Sequence, residues 1–228
     1  MIKFTPILLA VLYGLAVYHF SAWRTRRELD EKSTELADGK LRTVCDRMAR
    51  ALEIDRIRVH IYEIEQVNGL AAPDGRIFIT RGFYNRYRNG DVSAEEMASV
   101  IAHELGHVAL GHARRRMTDF SAQNAMRTAI AMVLNRFLPG IGVLIGNALI
   151  SLLAARLSRS DEFEADAYAS ALLLKAGLGV EGQKSLFNKL EQLTGGAGSG
   201  TPAWLLSHPR TADRIKAIEA NEARWIDG

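Results

Sequence analysis

Apolar residues run from about Ile7 to Trp23 without a charge, between Lys3 and a basic cluster at Arg24, Arg26 and Arg27. A run of that kind, at the short end of what crosses a bilayer, predicts an N-terminal transmembrane helix over 1–27, a single-pass anchor with a basic flank. Tyr13, Tyr18 and Trp23 offer rings suited to the membrane interface. Val17-Tyr18-His19-Phe20 lacks the small residues of a leader cleavage site, so the segment reads as retained. The basic excess after it places the rest of the chain on the cytoplasmic side, by a charge difference too small to rule out the periplasmic side.

The pattern changes at Glu28. Charged residues then surround an apolar stripe of Leu41, Val44, Cys45, Met48 and Leu52, which predicts helix to about Glu53 with an interruption near Gly39. Arg56 to Glu65 alternates apolar and polar and predicts a strand. Turn formers fill Asn68 to Gly75, and Arg76 to Thr80 reads as a second strand. An ordinary hairpin is the plain reading. The functional one is an exposed edge that receives an extended peptide by strand addition. Ser93 followed three residues later by Glu96 is a capping box, opening a helix that runs to about Arg116. Ala125 to Leu157 is apolar and rich in small residues, with a break at Pro139-Gly140. It predicts a buried or membrane-lying helical hairpin, with a second span as the alternative. Helices follow over Arg156–Lys175, Leu178–Leu193 and Thr211–Ala223, with a flexible Gly195–Gly200 connection. The fold class is therefore α+β, mainly helical, with a small β-sheet beside the Ser93 helix and one domain over 28–228.

Composition narrows the function. A chain of 228 residues with 48% hydrophobic content can bury one sizeable core. The net charge of +3 is weak, and its basic clusters at Arg24–Arg27 and Arg114–Arg116 carry no interleaved aromatics. That excludes dedicated nucleic-acid binding and fits a membrane surface, with lipid as a partner. The one cysteine, Cys45, lies on an apolar stripe and reads as a buried thiol.

The chemistry sits in the Ser93 helix, at His103-Glu104-Leu105-Gly106-His107. At about 100° per residue, His103 and His107 stand roughly 40° apart on one face and can both reach a single Zn²⁺. Glu104 is turned off that line, towards a water rather than the metal. A catalytic zinc needs a third protein ligand and an open position. His112 is one candidate, though a continuing helix turns it about 180° from His103. The other is the acidic helix, where Glu162 and Asp166 share a face, so that Glu162 can ligate while Asp166 receives an imidazole N–H. Glu164 is about 200° from Glu162 and cannot share that face. Ala165 is small enough to let two helices approach.

These stretches, in this order, resemble the M48 family of zinc metallopeptidases. The match rests on His103–His107, on Glu162-Phe163-Glu164-Ala165-Asp166, on Asn68–Gly75 against the family's Asn-Ala-Phe-Ala-x-Pro-Gly-Gly, and on Ser207-His208-Pro209 with Arg214. Gly69, Leu70 and Asp74 depart mildly from the family pattern. The resemblance implies a zincin-like domain holding one Zn²⁺ per subunit on His103, His107 and Glu162, with Glu104 as the base. It implies that Asn68, Ala71 and Pro73, with Ile77 and Ile79 on the following strand, line the substrate cleft. It also implies that His208 stabilises the oxyanion, with Arg214 as a nearby electrostatic support. The expected function is a membrane-anchored zinc metalloendopeptidase acting on unfolded or misfolded polypeptides, in quality control of membrane or envelope proteins. A non-catalytic scaffold or chaperone-like adaptor with the same fold is the alternative.

Overall fold

The structure is a computed structural model that describes residues 5–72, 74–112, 115, 142–194 and 212–226. The chain divides into two compact units, one of 1–28 with 111–161 and one of 29–110 with 162–228.

The first unit holds most of helix α1 (Thr5–Glu31) and the leading part of α5 (Gly142–Lys175). The apolar start of α1 continues without a break into Arg24, Arg26, Arg27, Glu28, Asp30 and Glu31. Phe20 and Trp23 are exposed and in ring contact, and Arg27 lies over the Trp23 ring. Among the described residues no helix is long and apolar enough to cross a membrane, so the N-terminal transmembrane helix is not supported. α5 is one helix of 34 residues, so the segment from Arg156 continues a helix rather than starting one. The Pro139-Gly140 break of the expected hairpin lies outside the described residues.

The second unit is built on a four-stranded sheet. Its strands are β1 (Ser33–Glu35), β2 (Val59–Tyr62), β3 (Gly69–Ala71) and β4 (Ile77–Thr80), in the order β1-β2-β4-β3. β2 and β4 pair in parallel, with Val59 opposite Ile77 and Tyr62 opposite Thr80. They are not a hairpin, because the hairpin is β3–β4, with Gly69 opposite Ile79 and Ala71 opposite Ile77. The turn-rich stretch thus supplies a strand of its own. This overturns one expectation. The strand after the turn is interior, flanked on both sides, and every residue of β4 is buried, as a strand covered on both faces must be. Ile77 and Ile79 belong to the core and do not line a cleft. The edge beside the histidine helix is β3.

Helix α2 (Gly39–Ala51) starts where Asp38 accepts hydrogen bonds from the Lys40 and Leu41 N–H groups. Its stripe of Leu41, Val44, Cys45 and Met48 packs into the core with Ile77, Ile79, Met97 and Ile101. Burial pushes the Cys45 thiol up to about 12, an inert packing group. Helix α3 (Arg81–Arg88) follows β4 directly, capped by Thr80. Helix α4 (Ala94–Ala109) opens on the Ser93–Glu96 capping box. It ends well before Arg116, because Gly111 takes a φ of +70°, the left-handed stop that glycine tolerates. The described part closes with α6 (Glu181–Thr194) and α7 (Ala212–Ile226).

Candidate metal centre

A helix places His103 and His107 one turn apart, and α4 brings their Nε2 atoms to 3.1 Å with the rings nearly perpendicular. Glu162, from α5, completes a converging set, with Oε2 3.3 Å from His103 Nε2 and Oε1 3.5 Å from His107 Nε2. Ligands at about 2.0–2.1 Å on a tetrahedral ion stand roughly 3.3–3.4 Å apart, so the donor spacing suits Zn²⁺. All three residues are buried.

Two small residues permit this approach. A Cβ on Gly106 would sit 3.0 Å from both Cα and O of Ala165, so α4 and α5 cross almost backbone to backbone. Glu162 and Asp166, one turn apart on α5, therefore face the histidines directly. Glu164 is exposed, as the face argument requires.

Asp166 is the hub behind the ligands. Its Oδ1 lies 2.9 Å from His103 Nδ1, so with the proton on Nδ1 the Nε2 lone pair points into the site. Arg214, from α7, donates to both oxygens of Asp166, Nε to Oδ2 at 2.5 Å and Nη2 to Oδ1 at 2.8 Å. Its Nη1 stands 3.4 Å from Glu162 Oε2. The guanidinium is 1% exposed and lies over the Phe187 ring of α6, 4.8 Å from its centre. The Asp166 carbonyl accepts from Ser170 Oγ and Gln183 Nε2, which ties α6 to the same turn of α5.

The electrostatics favour a cation. Glu104, Glu162 and Asp166 are buried carboxylates, and Arg214 is the buried guanidinium facing them. Three negative charges against one positive leave a deficit of two, which a divalent ion cancels. The protein alone partly compensates with a proton. Burial opposes charge on His103, but the hydrogen bonds its ring donates to Asp166 and Glu162 outweigh it and push the imidazole up to about 9. Burial likewise opposes charge on Asp166 and Arg214, yet their mutual bonding holds the carboxyl below its usual range and the guanidinium above.

The remaining expected residues fall in different places. Glu104 is 1% exposed, outside the donor set and beside Gly69 of β3. Asn68 and Ala71 lie on the β3 side, and Asn68 is bonded to Thr80. Pro73 and His208 lie outside the described residues. His112 is fully buried with Nε2 3.7 Å from Asp161, apart from the donor set. Arg214 stands behind the ligands, gripping Asp166 and facing Glu162, a place that suits the electrostatic support expected of it. Nothing local in the sequence marks Phe187 or Gln183, whose partners come from other helices, or Ser170, whose hydroxyl bonds back one turn to the Asp166 carbonyl.

Comparison with known proteins agrees with this geometry. The profile described as Peptidase family M48 matches residues 35–222. Metalloprotease LoiP of Escherichia coli is 30% identical over 203 residues, covering 84% of this chain and 75% of LoiP. Metalloprotease YcaL of the same organism is 29% identical over 162 residues, covering 71% of this chain and 61% of YcaL. Protease HtpX of Pseudomonas aeruginosa is 26% identical over 214 residues, covering 79% of this chain and 72% of HtpX.

Proposed function

The chain belongs to peptidase family M48, and we propose that it is a zinc-dependent metalloendopeptidase that cleaves extended, unfolded polypeptide. The observation that carries this reading is the convergence of His103, His107 and Glu162 in a buried site short of two positive charges. Zinc held by these residues would lower the pKa of a water towards about 7 and polarise the scissile carbonyl. Glu104 takes the proton of the attacking water and hands it to the leaving amine. Asp166 keeps His103 in the tautomer that presents Nε2, and Arg214 keeps Asp166 ionised and in place. The edge of β3 takes the substrate by strand addition, with Asn68 and Ala71 beside it. Backbone hydrogen bonds there ask little of the sequence, which suits misfolded chains. His208, by its place in Ser207-His208-Pro209, is assigned to the oxyanion.

The same proposal places the protein at a membrane, acting in quality control of membrane or envelope proteins. Its support is the apolar run Ile7–Trp23 with its basic flank, together with exposed Phe20 and Trp23. Release of the protein from membranes by alkaline carbonate would remove that part of the reading.

The test of the chemistry is digestion of labelled casein by the zinc-loaded chain, with a chelator control and Glu104→Gln. The wild type is expected to cleave. Glu104→Gln is expected to keep its zinc and lose activity by about 10²–10⁴-fold. Full cleavage by that variant refutes Glu104 as the base. A zinc-loaded wild type that binds casein without cutting it points to the scaffold or adaptor alternative.

A further inference from the structure

We propose that Arg76 is a positioning residue that ties the turn after β3 to the last turn of α1 and so holds the substrate edge in its binding form. The inference rests on the reading of β3 as the edge that receives the substrate. β3 is three residues long and, among the described residues, pairs on one side only, with β4. At the two ends of this pairing, Thr80 N–H donates to Asn68 O at 3.0 Å and Ala72 N–H donates to Arg76 O at 2.8 Å. Bonded positions alternate in an antiparallel pair, so Gly69 and Ala71, at the intervening positions, turn their N–H and C=O groups to the open edge. A two-stranded hairpin this short is marginal by itself, and its ends must be held. The start is held by the Thr80 hydroxyl, which accepts from Asn68 N–H at 2.9 Å and donates to Asn68 O at 3.0 Å.

The other end is held by Arg76. Its backbone N–H donates to Asp74 Oδ1 at 3.2 Å, its Nε and Nη2 reach Asp74 Oδ2 at 2.9 and 2.8 Å, and its Nη1 donates to Asp30 Oδ1 at 2.6 Å. The guanidinium lies over the Phe78 ring, 5.2 Å from its centre. One side chain thus bridges the turn after β3 and the end of α1, whose residues from Leu29 onward belong to the sheet unit. Leu29 is buried with Ala72 and the same Phe78. The chain that follows α1 is held in turn, since Glu63 N–H donates to Lys32 O at 2.9 Å and β1 pairs with β2. An isolated surface ion pair contributes little, but several charges in one network hold a geometry. Asp74 stands where the family pattern has glycine, which offers no side chain to receive Arg76, so the bridge is this chain's own.

Loss of the bridge lowers the fraction of molecules whose edge is formed, and apparent affinity falls with that fraction while the metal ligands stay as they are. The test compares wild type, Asp30→Asn, Arg76→Gln and the double variant, each loaded with zinc, on labelled casein. Each single variant is expected to keep one zinc per chain and the wild-type kcat, and to raise KM by about 3–10-fold. The double variant is expected to match Arg76→Gln, since Asp30 acts through Arg76. Casein is acidic, so loss of an acidic group by net charge alone would lower KM, and a rise in Asp30→Asn reads the bridge. Amide exchange at Leu70 and Ala72 is expected to quicken in Arg76→Gln while that of α4 matches the wild type. A wild-type KM in either single variant overturns the inference. So does an Asp30→Asn effect undiminished in the Arg76→Gln background, an unchanged exchange at Leu70 and Ala72, or a loss that falls on kcat or zinc content instead of KM. A zinc-loaded wild type that cleaves no casein overturns the functional reading itself, a result separate from any difference in exchange among these variants.

Discussion

Replacing Asp166 by alanine would remove three hydrogen bonds from behind the metal ligands, one to His103 and two to Arg214. Two effects should separate. Arg214 stays charged and 1% exposed after losing its bidentate partner. Removing one member of a buried ion pair costs about 3–5 kcal/mol. At about 2–4 °C per kcal/mol for a chain of this size, the metal-free protein should melt roughly 6–20 °C lower. His103 keeps Nε2 at the site but loses the acceptor that fixes its Nδ1 proton. Loss of such a partner weakens metal affinity by about 10–100-fold. Thermal melts in excess chelator read the first effect, and competition with a chromophoric chelator for zinc reads the second. Zinc affinity should stay low in Asp166→Ala/Arg214→Met, since the acceptor for His103 is still missing. An Asp166→Ala protein that melts with the wild type and binds zinc as tightly would refute the hub role of Asp166.

Gly106→Val should separate α4 from α5, since even a Cβ there stands 3.0 Å from the Ala165 backbone. Overpacking of this kind costs about 1–3 kcal/mol, and zinc stoichiometry by elemental analysis should fall with it. Unchanged zinc content would show that Glu162 does not depend on the close crossing. Glu96 anchors the start of α4, accepting from Ser93 N–H at 2.8 Å, Ser185 Oγ at 2.6 Å and Lys189 Nζ at 2.8 Å. Burial opposes its charge, but Lys189 and Ser185 outweigh burial and hold the carboxyl below the usual range. The stability from this charge is complete above the ordinary glutamate value of about 4.3 and is lost as pH falls through the lower folded value. Glu96→Gln should therefore melt below wild type at neutral pH, with the gap closing in acid below about pH 4. A gap that does not change with pH would refute the ionic part of that contact.

The features legible in the sequence were those with a local physical cause. His103 and His107 share a face because the helical period maps a spacing of four onto one side. The same period puts Glu162 with Asp166 and leaves Glu164 exposed. The Ser93–Glu96 box is a bond between neighbours and needs no fold to be recognised. Asn68–Gly75 announced a turn-rich stretch, but its short strand β3 exists only because β4 is there to pair with it. The parallel pairing of β2 with β4, which moved Ile77 and Ile79 from an expected edge into the core, is a contact between distant segments that neither strand's alternation specifies. Arg214 shows the limit most plainly. The Ser207-His208-Pro209 stretch picks Arg214 out of 29 lysines and arginines by resemblance, but only the packing of α7 buries it against Asp166, Glu162 and the Phe187 ring. The sequence by itself determined which residues could bind a metal and share a face. Only the tertiary structure decided which segments meet, because desolvation and charge balance at the centre depend on chains brought together from α4, α5, α6 and α7.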